Sequence, residues 1–302
     1  MSDRVEVSFG ERTLSLSNLD KVLFPGVGFT KSQVIDYYAR IAPFMLPHVA
    51  GRCITFRRWP DGVDGESFFE KRCPGHRPPW ISTALGPGDG DTGIDYCTLE
   101  EPAALVWTAN LAALELHSPM AKAVDLDTPT MVVFDLDPGE PAAIAECCQV
   151  AMVLQDVLEA VGLASVAKTS GSKGLQVYVP LNTPHTHRQA SDFALAVGQL
   201  VAKARPDQVL VEMKRELRVG KVFVDWSQNS RHKTTVAPYS LRARGRPTVS
   251  TPVTWDEVAD GADGEPMVFE ADDVLDRVAE LGDLFAVAAD RQQELPQSGN
   301  GR

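Results

Sequence analysis

The chain has 302 residues, 44% of them hydrophobic and 23% charged, which suits a globular protein of one large domain or two smaller ones. No apolar run reaches the ~18 residues of a membrane-spanning helix, and the N-terminal MSDRVEVSFG lacks a secretory apolar core, so a cytoplasmic location with no membrane partner is expected. A net charge of −12 argues against nucleic acid only until its distribution is read. Thirteen acidic residues face Arg277 and Arg291 between Trp255 and Glu294, a local balance of −11, whereas Lys203 to Arg246 carries +7. A basic surface on an acidic protein is therefore available.

In chain order, VEVSFGERTLSLSN alternates like a hairpin turning at Gly10-Glu11. Thr30 is a suitable N-cap for a helix from Lys31 to about Leu46, where Pro47 is expected to end it. CITFRRW, from Cys53 to Trp59, reads as a strand with a basic end. The stretch from Pro60 to Gly90 is rich in Gly, Pro and charge around the pair Phe68-Phe69. AALVWTANLAALELH reads as an apolar helix ending at His117. A buried strand, MVVFDL, precedes a long amphipathic helix over residues 141–162.

VAKTS and LQVYVP read as strands joined by a glycine turn, with Gln176 and Tyr178 on one face and Leu175, Val177 and Val179 on the other. A helix over 187–204, a strand KVFVDW, an extended TTVAPYSLRAR and a helix near Asp272 to Phe285 follow, and the final QSGNGR is expected to be disordered. The alternation favours α/β or α+β. The five cysteines, odd in number and irregular in spacing, are expected to be reduced thiols; Cys73 and His76 form a CxxH, but no second pair follows at zinc-site spacing.

VVFDLDPGE is the strongest local motif. Asp135 and Asp137 stand two apart at a strand end, so both carboxylates face one side, an arrangement that a hard divalent cation relieves. A strand-end turn with two solvated acids is the plain alternative. The haloacid-dehalogenase type of phosphatase also uses such a pair, but its DxDG[TV] pattern is broken here by Pro138-Gly139. Asp225 ends a third apolar strand, and three such carboxylates suit a pair of metal ions. Lys and Arg residues cluster around it in sequence, matching phosphate chemistry or simply a solvated face. The turn TSGSKGL is not a P-loop and, alone, reads as a flexible connection; beside the acids and the basic surface it becomes a candidate phosphate cradle.

Together the stretches NLDKVLFP, TKSQVIDYY, RRWPDGVDGESFFEK, ALELHSP, VVFDLDPGE, TSGSKGL, GKVFVDWSQNS and TTVAPYSLRAR resemble, in order and spacing, the polymerase domain of bacterial ATP-dependent DNA ligase D, within the archaeo-eukaryotic primase superfamily. The resemblance runs from about Leu14 to Phe285. It implies an α+β fold with a primase-type catalytic core, a central mostly antiparallel sheet flanked by helices. One domain would span 1–295, with 296–302 a disordered tail and no ligase or phosphoesterase domain.

The resemblance also implies roles. Asp135, Asp137 and Asp225 would bind two ions, Mn²⁺ or Mg²⁺, in a nucleotidyl transfer that adds NTPs or dNTPs to a primer 3′-hydroxyl. Arg57, His117, Ser170, Lys173, Gln176, Arg218, Gln228 and Arg242 would contact the nucleotide. Arg57 stands where the family commonly has lysine, which changes donor geometry. Lys21 and Lys31 would bind the 5′-phosphate of a gapped duplex or DNA end, and Phe68 and Phe69 would stack on the template. A separate ATP-dependent ligase and Ku are the implied partners in non-homologous end joining, on the nucleoid. The family's SGSKGLH is broken at Gln176, where a neutral amide replaces an ionisable ring, so a catalytically weakened DNA-end binding or bridging protein is the alternative. A starter of new strands is a third reading within the same chemistry.

Overall fold

The computed structural model describes residues 4–88 and 92–296; the expected disordered tail, apart from Pro296, lies outside the described residues. The chain divides into two compact units, one built from Met1–Val124, Thr234–Thr251 and Val268–Asp283, the other from Asp125–Lys233, Pro252–Met267 and Leu284–Arg302. Among the described residues no helix is long and apolar enough to cross a membrane. The class is α+β, as expected.

The first unit opens with the expected hairpin, Arg4–Phe9 against Arg12–Ser17. Its helix Lys31–Val49 starts as the sequence indicates: Thr30 Oγ1 accepts from the Gln33 backbone N–H, and the Gln33 side chain accepts from the Thr30 N–H at 2.8 Å. It does not stop at Pro47. Both Pro43 and Pro47 lie inside it, because its buried face from Val34 to Met45 continues to Val49 and tertiary packing outweighs the missing N–H groups. A four-stranded antiparallel sheet carries Thr234–Val236, Ala113–Pro119, Thr55–Arg58 and Phe68–Glu70 in that order.

The stretch 103–117 is therefore not one helix. Helix Pro102–Asn110 ends, Ala112 takes a left-handed φ of 55°, and the chain re-enters the sheet as strand Ala113–Pro119. Leu, Ala and Glu favour helix locally, but pairing on both edges decides the outcome. Likewise, only Thr234–Val236 of TTVAPYSLRAR is strand, and the helix placed near 272–285 is Ala271–Leu281, closed by Gly282.

The cysteines also correct the expectation. Cys73 and Cys97 form a disulfide, whereas Cys53, Cys147 and Cys148 are thiols. The Cys73 N–H donates to Asp95 O at 2.7 Å, laying Cys73 beside the hairpin of Thr83–Gly86 and Ile94–Cys97. The two Cα atoms then stand 4.8 Å apart, within bonding reach. A separation of 24 residues gave no such hint.

The second unit is organised on a six-stranded sheet ordered Val209–Leu210, Val222–Asp225, Met131–Pro138, Leu175–Pro180, Val166–Thr169 and Pro252–Val253. Every pairing is antiparallel except the short one between Val209–Leu210 and Val222–Asp225. Helices Ile144–Ala160 and His187–Ala204 pack on it, close to the ranges expected. All six residues of Leu175–Pro180 are buried, so both faces of the central strands are covered.

Candidate functional site

In the second unit, the register places four polar side chains in one row. Lys168 lies opposite Gln176, Gln176 opposite Asp135, and Asp135 opposite Asp225, on four adjoining strands. Directly opposed residues share a face, with Cβ atoms about 5 Å apart. Lys168 is fully buried, and its Nζ donates to Gln176 Oε1 at 2.5 Å; the Tyr178 hydroxyl donates to the same oxygen at 2.9 Å. The Gln176 amide then donates to Asp135 Oδ1 at 2.9 Å. Gln176 is thus a buried bridge from a lysine to the first carboxylate. The cation that the residue itself lacks stands one strand away.

Asp137, two residues beyond Asp135 on the same strand, lies opposite Phe223. Burial, followed by repulsion from Asp137, pushes the Asp135 carboxyl up to about 7, against the pull of Gln176. Burial and Asp225 raise that of Asp137, while Arg218 and Lys173 lower it. Arg218 stacks its guanidinium over Phe223 at 3.7 Å. Asp225 holds its own 3₁₀ turn: Oδ1 accepts from Ser227 N and Oγ at 3.0 and 2.6 Å, and Oδ2 from Gln228 Nε2 at 3.0 Å. Gln228 is therefore turned onto Asp225.

The glycine turn lies against strand Met131–Pro138. Ser170 Oγ accepts from Ser172 N and Gly174 N at 3.2 and 3.1 Å and so staples the loop, leaving Lys173 exposed at its tip. A side chain at Gly174 would put its Cβ 2.3 Å from Leu136 O, so only glycine allows this approach.

The donor set suits a hard divalent ion: three carboxylates on adjoining strands, two of them with pKa values raised by burial and by neighbouring carboxylates. Among the described residues, no group of three His, Cys, Asp or Glu is drawn together as a ready metal cage.

The first unit holds a second constellation. Phe69 lies opposite Arg57, and Arg57 opposite Glu115. Because 113–119 is a strand, Glu115 and His117 share a face. Glu115 is 1% exposed; its Oε2 lies 2.9 Å from His117 Nε2 and 3.8 Å from Arg57 Nη1, and its Oε1 accepts from Arg242 Nε at 3.1 Å and Ala243 N at 3.2 Å. Burial pushes the Glu115 carboxyl up, but His117, Arg242 and the Ala243 N–H together bring it down to about 2. Burial lowers His117, and the two arginines add to that against Glu115. Arg57 packs its guanidinium between Trp59 at 4.6 Å and Phe69 at 5.1 Å.

Phe68 and Phe69 are both exposed, at 45% and 58%, as a polar-loop aromatic pair suggests. Lys21 pairs with Asp61 at 2.8 Å, and its carbonyl accepts from the Lys31 N–H. Lys31 is 5% exposed, with Nζ on Ser17 O at 2.6 Å; burial, then Lys21 and Arg58, lower it to about 8. A desolvated ammonium among like charges favours an anion.

Sequence reasoning missed Glu115 and Lys168. Reading ELH as strand would have put Glu115 beside His117. A lysine inside the apolar VAKT was the signal for the other.

A family model described as LigD, primase-polymerase domain, matches residues 30–285. The multifunctional non-homologous end joining DNA repair protein LigD of Mycobacterium tuberculosis is 45% identical over 286 residues, which cover 92% of this chain and 37% of that protein. The chain belongs to the LigD primase-polymerase domain family. The bifunctional LigD of Bacillus subtilis is 30% identical over 94% of this chain and 46% of its own length. The chain thus spans less than half the length of these curated LigD proteins. The solved polymerase domain from Mycobacterium tuberculosis Ligase D in complex with DNA is 44% identical with a TM-score of 0.87, covering 92% of this chain and 99% of that one. Membership makes the chain a nucleotidyltransferase of the primase-polymerase type and implies a divalent-metal requirement.

Proposed function

We propose that the chain extends a primer 3′-hydroxyl with NTPs or dNTPs at gaps and broken ends during non-homologous end joining. The observation that carries the reading is the in-register row joining Asp135 to Asp225, with Asp137 on the same strand. In the reaction, the 3′-oxygen attacks the α-phosphate of the nucleotide and pyrophosphate leaves. Asp135, Asp137 and Asp225 would hold two ions, Mn²⁺ or Mg²⁺. When bound, they would lower the pKa of the attacking hydroxyl and offset charge on the leaving group.

The chain's own groups orient the substrates. In the first unit Arg57, His117 and Arg242 are assigned to the triphosphate; in the second, Lys173 and Arg218 are the cations that act on Asp137. Ser170 and Gln228 act through the turn and through Asp225. Lys21 and Lys31 take the 5′-phosphate across the gap, while Phe68 and Phe69 stack on template bases. The nucleic-acid partner is a DNA end or 5′-phosphorylated gapped duplex, consistent with the DNA in the solved relative. A separate ATP-dependent ligase, Ku and a location on the cytoplasmic nucleoid complete the reading.

The test is primer extension on a 5′-phosphorylated gapped duplex with Mn²⁺, comparing NTPs and dNTPs against a competent family member. No extension overturns the proposal. A catalytically weakened end-bridging protein is the second reading, on the neutral amide of Gln176 where the family motif carries an ionisable ring. It predicts end binding that survives the double variant Asp135→Ala, Asp137→Ala, from a parent that extends nothing.

A further inference from the structure

Glu115 is a carboxylate 1% exposed, beside two arginines and a histidine. A buried anion is costly unless its lone pairs are satisfied, and a buried cluster of cations is costly unless an anion lies within it. Here each condition meets the other. Oε1 takes Arg242 Nε and the Ala243 N–H, and Oε2 takes His117 Nε2 with Arg57 Nη1 at 3.8 Å. One negative charge against two guanidinium groups leaves the cluster positive.

The geometry also sets direction. With its Nε2 edge held on Glu115, the His117 ring turns Nδ1 away from the carboxylate, and Phe69 closes on the ring edge-on at 5.6 Å. The opposed Arg57 guanidinium lies over the rings of Trp59 and Phe69, and its Nη2 donates to Ser67 Oγ at 3.2 Å. Arg242 is held through Nε and through its neighbour's N–H on the same oxygen. A single side chain thus reaches three groups assigned to the triphosphate, coming from two strands and the segment after Thr234–Val236.

We propose that Glu115 is a positioning residue for nucleotide binding: it touches no substrate and pre-orients Arg57, His117 and Arg242 for a polyphosphate. This rests on the nucleotide reading above. Glu115→Gln keeps the shape but removes the charge and sets an amide NH₂ against a donor. Binding of ATP to the full chain without DNA, and KM and kcat for ATP on gapped duplex, are compared with wild type, alongside the ¹⁵N signals of the His117 ring.

The expected result is an ATP affinity about tenfold weaker, the loss appearing mainly in KM, with altered His117 nitrogen shifts and unchanged binding of the DNA 5′-phosphate. In an Arg242→Gln background, Glu115→Gln should add little, since both remove one arrangement. ATP affinity, KM and ring signals equal to wild type overturn the inference while the nucleotide reading stands. If wild type binds no ATP, or Arg242→Gln and His117→Ala leave its affinity untouched, the nucleotide reading falls and takes this one with it. If Glu115→Gln does not fold, Glu115→Asp keeps the charge and shortens the reach. Weaker ATP binding at wild-type stability then supports the role, and unchanged binding overturns it.

Discussion

Replacing Gln176 by leucine tests whether the buried row on the second unit's sheet is one connected device. The Gln176 oxygen accepts from the Lys168 ammonium at 2.5 Å and from the Tyr178 hydroxyl at 2.9 Å. Bonds to charged groups contribute about 1.5–3 kcal/mol and neutral ones about 0.5–1.5 kcal/mol, so Gln176→Leu should cost about 3 kcal/mol. It also leaves a fully buried ammonium without its amide acceptor. Lys168→Met removes its bond to Gln176 but also the desolvation cost of the cation, and should cost about 1–2 kcal/mol. Within the Gln176→Leu background the same Lys168→Met change should restore roughly 1 kcal/mol, because it removes a buried charge that has lost its amide acceptor. The cycle then shows a coupling of about 2–3 kcal/mol. The assay is urea unfolding of the four proteins, with slopes compared. Working at pH 6 keeps Asp135, raised to about 7, mostly protonated and so removes its charge from the comparison. If Lys168→Met costs as much in the variant background as in wild type, the two side chains act independently and the bridge has no energetic meaning.

Three further outcomes are expected. Glu115 has its folded pKa depressed to about 2, so its contribution is present above about 4.5 and lost as pH falls towards 2; by linkage it amounts to roughly 3 kcal/mol. Urea midpoints of wild type and Glu115→Gln should converge across that window, and a constant gap would refute it. Asp135 has its pKa raised to about 7, so below that pH a metal ion held there as proposed would have to displace a proton. Mn²⁺ binding, followed by its EPR signal, should weaken about tenfold from pH 8 to pH 6; affinity independent of pH would contradict the coupling. Reducing Cys73–Cys97, which closes a loop of separation 24, should lower stability by roughly 3 kcal/mol on chain-entropy grounds, and Cys97→Ser should abolish any response to dithiothreitol.

Local signals in the sequence were sufficient wherever neighbours along the chain do the work. Thr30 and Gln33 cap their helix by themselves, the helix at 187–204 follows its own apolar stripe, and period-two alternation brings Asp135 and Asp137 to one face. The ordered motifs, from TKSQVIDYY to TTVAPYSLRAR, were enough to indicate the family. Other features were not legible because their cause lies in remote pairing. Residues 113–119 carry helix-forming side chains and become strand only by pairing on both edges, and that change alone brings Glu115 beside His117 and opposite Arg57. Cys73 meets Cys97 through a bond to Asp95 that no spacing encodes. Gln176 looked from sequence like a lost positive charge. Strand register decided otherwise, setting Lys168 on one side of it and Asp135 on the other, because in a sheet a residue's electrostatic neighbours are chosen by the adjoining strands.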